Sequence, residues 1–157
     1  MDSRINWDGN QNLLNALRLA HDEARAAFSR AKAEGGPIAH AAARAAQLYL
    51  PHFEREEKAL FPVLDLVPEL AQGGVRLEMA KLLPQISQFG VRHDSLKIEH
   101  QYILSAVDDL LRTAHMEKDK DLADIAHTLK EHERIEDEVA YPAAMMIGNY
   151  VRKMLEM

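Results

Sequence analysis

The chain has 157 residues, a length that suits one domain with a full core. Hydrophobic residues make up 47% and charged residues 28%, an ordinary globular composition, and the net charge of −6 argues against a sequence-independent grip on nucleic acid. Cysteine is absent, which removes disulfides, thiolate catalysis and thiolate metal sites together. No apolar run follows a basic start in "MDSRINWDGNQN", and no stretch approaches the roughly 18 consecutive apolar residues of a membrane span. Neither a signal peptide nor membrane insertion is therefore expected, and a cytoplasmic location is the default. Eight histidines are the compositional oddity.

Ala, Leu, Glu, Lys and Arg dominate and β-branched residues are sparse, which predicts an all-α chain. The first helix is expected over about residues 11–32, with Leu14, Leu17, His21, Ala24, Phe28 and Ala31 on one stripe, and "EGGP" (34–37) stops it. The second runs over about 38–61, with Ala45, Leu48, His52, Glu56 and Ala59 on its stripe. Pro51 lies inside it and should kink it or mark a restart, because proline lacks the donor to the preceding turn. Residues 62–84 read as a long connection with a short helix at 75–82. The third helix, over about 85–114, carries Phe89, His93, Leu96, His100, Ile103, Val107, Leu110 and Ala114. The fourth, over about 120–141, carries Leu122, Ile125, Leu129, His132, Glu136 and Val139. The tail "AAMMIGNYVRKMLEM" reads as a further short helix whose methionines pack on the bundle end or on a partner chain. Four amphipathic helices without strands predict a single four-helix-bundle domain over 1–157, with its core in 11–142.

Polar residues interrupt these stripes where leucine would be expected. Side chains at i and i+4 share a helix face, so His52 points with Glu56 and His132 with Glu136. A buried carboxylate is costly unless it is paired or bound to a cation. The halves also repeat: His21 precedes His52 by 31 residues and His100 precedes His132 by 32. Each His-x-x-x-Glu is then followed by an aromatic-proline pair, Phe61-Pro62 or Tyr141-Pro142. Packed face to face, the halves would bring His21, His52, His100, His132, Glu56 and Glu136 to one level. Imidazoles and bridging carboxylates suit a pair of first-row transition ions.

The spacing alone is a weak signal, because a His-x-x-x-Glu pair on a helix is usually solvated. His127 and Glu131 make such a pair off the stripe, and are expected outside the site. His40 and His115 lie near helix ends and are expected in solvent. His93 lies two turns before His100, about 10 Å of rise, which favours a core or orienting role over direct ligation. Glutamate-first Glu-x-x-His, HExxH and Gly-rich phosphate motifs are all missing, since Arg18, Tyr49, Lys97 and Leu129 stand three residues before the four stripe histidines.

"LAHDEAR", "HFEREEKALFP", "IEHQYI" and "LKEHERIEDEVAYP" together resemble the hemerythrin-like, HHE cation-binding family over about residues 13–142. The up-down-up-down order of the bundle comes with that resemblance, since a member of the family typifies such bundles. The resemblance also implies a non-haem di-iron centre. His21, His52, His100 and His132 would be terminal ligands and Glu56 and Glu136 would bridge the irons, with an oxo, hydroxo or water group completing the bridge. An open place would remain for O₂, H₂O₂ or NO.

Oxygen-carrying hemerythrins have a second histidine one turn from the first on the third helix, where this chain has Leu96 and Leu104. They also carry an aspartate where this chain has Glu136 at a shorter spacing. These departures turn the expectation from simple O₂ carriage toward iron-centre repair, NO or peroxide scavenging, or iron and oxygen sensing. Three readings stay open: a di-iron protein that binds or reduces a small oxidant, a metal-dependent sensing or interaction module, and a structural or zinc-bound bundle. Zinc fits least well, because structural zinc prefers a closed set of four ligands. A monomer or homodimer is expected, without nucleic-acid or membrane partners.

Overall fold

A computed structural model describes the backbone of residues 8–156 and the side chains of 13–88 and 94–156. The described residues are almost all helical, without a strand. Helix α1 spans Asp8–Glu34 and α2 spans Gly36–Ala59, with only Gly35 between them. Gly35 and Gly36 take φ of 75° and 67°, a left-handed turn that residues with a Cβ rarely adopt. The predicted connection contains two short helices, α3 (Phe61–Leu64) and α4 (Val67–Ala71), and a 3₁₀ segment at Leu77–Leu82. Helix α5 (Leu83–Met116) follows, then α6 (Lys120–Ile135), whose first turn is capped by Asp119 Oδ1 accepting from the Leu122 N–H at 3.0 Å.

The end of the fourth helix departs from expectation. A single π-turn, Glu136–Ala140, joins α6 to α7 (Tyr141–Met154), so the tail helix continues the fourth helix. The Tyr141 N–H bonds to the carbonyl of Glu136, five residues back. Pro142 explains the widening: its ring crowds the carbonyl four residues earlier and it has no N–H to offer. The extra residue also moves the buried stripe from Glu136 to Ala140, and Val139, expected inside, is 47% exposed.

The other stripe error lies on α2. Leu48 is 36% exposed, whereas Tyr49 and Phe53 are fully buried. A three-four rhythm from Ala45 accepts either 48 or 49, so the pattern alone could not choose. Pro51 does not restart α2, which runs unbroken through it. The bond it deletes would go to the carbonyl of Gln47, an exposed residue whose carbonyl solvent can satisfy.

Helices α1, α2, α5 and α6 pack in a closed ring, α1 on α2, α2 on α5, α5 on α6 and α6 on α1. Two apolar clusters fill it. One, rich in alanine, includes Ala24, Phe28, Ala45, Phe53, Ile103, Val107, Leu110 and Leu129. The other gathers Leu17, Leu60, Phe61, Val63, Ile86, Tyr141 and Val151. On every one of the four ring helices a stripe histidine lies near the boundary between them. His21 follows Leu17 and precedes Ala24, His52 precedes Phe53 and Leu60, His100 precedes Ile103, and His132 follows Leu129. The polar layer divides the core in two.

Candidate metal centre

His21, His52, His100, His132, Glu56 and Glu136 are all buried, and the fold brings them together in two overlapping groups. His21 and His132 share one group with Glu56 and Glu136, while His52 and His100 share the other with the same two carboxylates. Within each group the donor atoms lie within 4.8 Å of one another. Donors about 2.1 Å from a first-row ion stand about 3 to 4 Å apart, so each group could hold one ion with modest contraction.

The carboxylates divide their oxygens between the groups. Glu56 turns Oε2 to His21 Nε2 at 3.2 Å and Oε1 to His52 Nε2 at 2.9 Å. Glu136 sets Oε1 against His132 Nε2, while its Oε2 lies 3.5 Å from His52 Nε2 and 3.9 Å from His100 Nε2. His21 Nε2 and His132 Nε2 face each other at 3.0 Å. Phe53 stacks on the His21 ring at 3.9 Å between centroids, so an apolar wall closes that side.

Three of the four imidazoles are oriented from behind by a carboxylate. The Nδ1–H of His21 donates to Glu57 at 2.9 Å, that of His52 to Glu99 at 3.0 Å, and that of His100 to Asp137 at 2.9 Å. An ionised carboxylate only accepts, so each ring holds a proton on Nδ1 and turns Nε2 inward. Glu57 is itself anchored by Arg25 at 2.8 Å, and Glu99 by Arg55. A His–carboxylate pair of this kind is the usual support of a metal-bound imidazole.

Sequence reasoning did not find Glu57, Glu99 or Asp137, and it missed a third buried carboxylate, Glu133. Glu133 follows His132 directly and lies four residues after Leu129, so a stripe three residues wide in seven would have included it. His127 and Glu131, the pair off the stripe, are exposed as expected, and so are His40 and His115. His93 lies in α5, but its side chain falls outside the described residues.

Without a cation the site carries conflicting charges. Burial pushes Glu133 up to about 8, aided by Glu56, Asp137 and Glu99, with His52 opposing. Burial, with Glu56 and Glu133 nearby, raises Glu136 well above the carboxylate range. Burial would raise Glu56 too, but contacts with Glu136, His21 and His52 outweigh it and hold Glu56 well below that range. Burial, with the neighbouring His21, His52 and His100, lowers His132 to about 4, against the pull of Glu56. Many of the same groups lack hydrogen-bond partners: Nε2 of His52 and His100, Oε2 of Glu56, and both oxygens of Glu133 and of Glu136. Buried polar atoms are normally satisfied. Burial would lower His52, but contacts with Glu136, Glu56 and Glu99 outweigh it and raise it, so in the metal-free chain an imidazole proton answers the carboxylates that a bound cation could answer instead.

A sequence model of the hemerythrin HHE cation-binding domain matches residues 12–144. The chain belongs to the hemerythrin HHE cation-binding family. No curated protein and no solved structure matches it significantly. Among the described residues of this hemerythrin-like chain, no helix is long and apolar enough to cross a membrane. A cleft of about 460 Å³ is lined by His52, Glu56 and Tyr141 together with Arg55, Gln85 and Ser95. Tyr141 donates its hydroxyl to Glu56 Oε1 at 2.7 Å. The Tyr141-Pro142 pair thus has two tasks, a π-turn at Pro142 and a hydroxyl from Tyr141 that holds Glu56.

Proposed function

We propose that this up-down-up-down bundle holds two iron ions and binds or reduces a small oxidant, O₂, H₂O₂ or NO. The observation that carries the reading is the division of the carboxylate oxygens, with Glu56 and Glu136 each turning one oxygen to either imidazole pair. Carboxylates disposed this way suit a bridge between two ions rather than one ion alone. Glu56 and Glu136 would bridge, and His21, His52, His100 and His132 would be the terminal ligands. The bound irons would supply redox chemistry at an open coordination position. The chain's own part is to orient the imidazoles through Glu57, Glu99 and Asp137, to hold Glu56 through Tyr141, and to surround the site with apolar side chains.

The test is metal content and near-ultraviolet absorption of protein from iron-replete cells, before and after peroxide. About two irons per chain, with charge-transfer absorption that peroxide changes, is the expected result. One zinc, or no metal, would overturn it.

A second reading, a metal-dependent interaction module, is favoured by one feature. The π-turn that carries Glu136 also exposes Val139 beside Met146 and Tyr150, in an apolar groove that includes Leu14, Leu64 and Val67. Change at the centre would reach that groove through a single turn of backbone. Hydrogen exchange of residues 139–150 relative to the rest of the bundle, with and without metal, separates the two readings, because only the module requires a change there beyond the general protection that metal binding brings.

A further inference from the structure

We propose that Glu133 is a seventh protein ligand, given to the His52/His100 position alone, so that the two metal positions are unequal. This rests on the reading that the centre holds two ions. Glu133 is 1% exposed, yet neither carboxylate oxygen has a hydrogen-bond partner. Its Oε2 lies 3.2 Å from His100 Nε2 and its Oε1 lies 3.7 Å from His52 Nε2. Among the described residues, its ion-pair contacts are with these two imidazoles and not with His21, His132 or any lysine or arginine.

A buried glutamate with a structural role would be expected to hydrogen-bond, as a protonated donor or as an acceptor. Glu133 does neither. Its neighbours on the exposed face of the same helix behave differently, since Glu131 and Glu138 both pair with Arg134. What faces Glu133 is a pair of imidazole nitrogens, themselves without hydrogen-bond partners at Nε2. A cation held by these nitrogens would have the Glu133 carboxylate within reach and would satisfy all of these atoms at once.

The ligand count then differs between the positions. His52, His100 and the shared Glu56 and Glu136 converge on one, with Glu133 set against its two imidazoles, while His21, His132 and the same shared pair converge on the other. Leucines occupy the α5 positions one turn either side of His100, Leu96 and Leu104, so a fifth donor here has to come from another helix. Helix α6 supplies it. The His21/His132 position keeps the greater vacancy, and the inequality is built into the chain rather than imposed by an incoming ligand.

The experiment is anaerobic titration of metal-free protein with ⁵⁷Fe(II), followed by Mössbauer spectroscopy, on the natural chain and on Glu133→Gln. Glutamine keeps the shape and removes the anionic donor; Glu133→Ala serves as the second variant if the amide form does not fold by circular dichroism. The natural chain should bind two irons in two distinct doublets of equal area. The variant should shift one doublet and leave the other, with one iron bound at least about tenfold more weakly, the lower end of what even a supporting residue contributes. Two irons in the natural chain with a single doublet, or a variant with unchanged affinity and spectrum, would overturn the role of Glu133 and leave the di-iron reading standing. Fewer than two irons in the natural chain would remove both.

Discussion

His100 shows how much of an imidazole's setting lies behind it. Its Nε2 points into the centre, but its orientation is set by Asp137, an exposed-side carboxylate on the π-turn that accepts the Nδ1–H at 2.9 Å. Replacing Asp137 with asparagine keeps an acceptor but removes the charge that makes the ring a stronger donor to metal. Such changes typically weaken metal binding by about 10- to 100-fold. We expect Asp137→Asn to lose affinity in that range while far-ultraviolet dichroism is unchanged, and an unaltered iron titration would show that the pair orients nothing that matters. The stripe argument has its own test. His132→Ala and Glu136→Ala should lose metal, whereas His127→Ala, at the exposed look-alike pair, should retain it; equal retention in all three would sink the argument.

The same residues mark where the sequence could be read and where it could not. His21, His52, His100, His132, Glu56 and Glu136 interrupt apolar stripes, and a stripe is visible in one dimension. Glu57, Glu99 and Asp137 lie on the flank between helices, and each meets its histidine across an interhelical gap of 36 to 47 residues in sequence. No local spacing encodes those meetings. Glu133 was legible in principle, being next to His132 on the wide face of α6, but a one-residue-wide stripe hides it.

At the level of elements, the π-turn is the feature that a strict 3.6-residue rhythm misplaces. One extra residue between Glu136 and Tyr141 re-phases the helix so that Glu136, Ala140, Tyr141, Ala144, Ile147 and Val151 all face inward. The re-phased α7 then packs on α5 at Gly148. A Cβ built there would sit 2.4 Å from Ile86 Cγ2, with two further atoms of the same side chain at 3.2 Å. Ile86 is buried and β-branched, so it cannot swing its methyl away freely. Gly148→Ala should therefore destabilise the protein by about 1 to 3 kcal/mol, although alanine is the better helix former by about 1 kcal/mol. Chemical denaturation checks this, and a variant as stable as the natural chain would mean that α7 can move away from α5 at no cost.

Considered as a whole, the molecule has a core cut in two by a layer of four imidazoles and three carboxylates. Apolar side chains at those positions would make one continuous core, so the layer costs stability whenever its lone pairs go unmatched. In the metal-free chain burial pushes Glu133 and Glu136 up, against ionisation, and several oxygens and nitrogens are without partners. Metal held as proposed would supply positive charge where these atoms converge, and would do so on all four ring helices at once. Binding should therefore appear as global stability, not as a local ordering of one helix. With free metal at about a hundred times its dissociation constant, one site that binds only the folded chain adds about 2.7 kcal/mol. For a chain of this size that shifts the melting temperature by roughly 5 to 10 °C, and a second site shifts it further. Melting of chelator-treated and iron-reconstituted protein, each with its metal content measured, tests this directly. Equal melting temperatures would mean that the divided core is already satisfied without a cation, and the imidazole–carboxylate layer would then have to be explained as a hydrogen-bonded network in its own right.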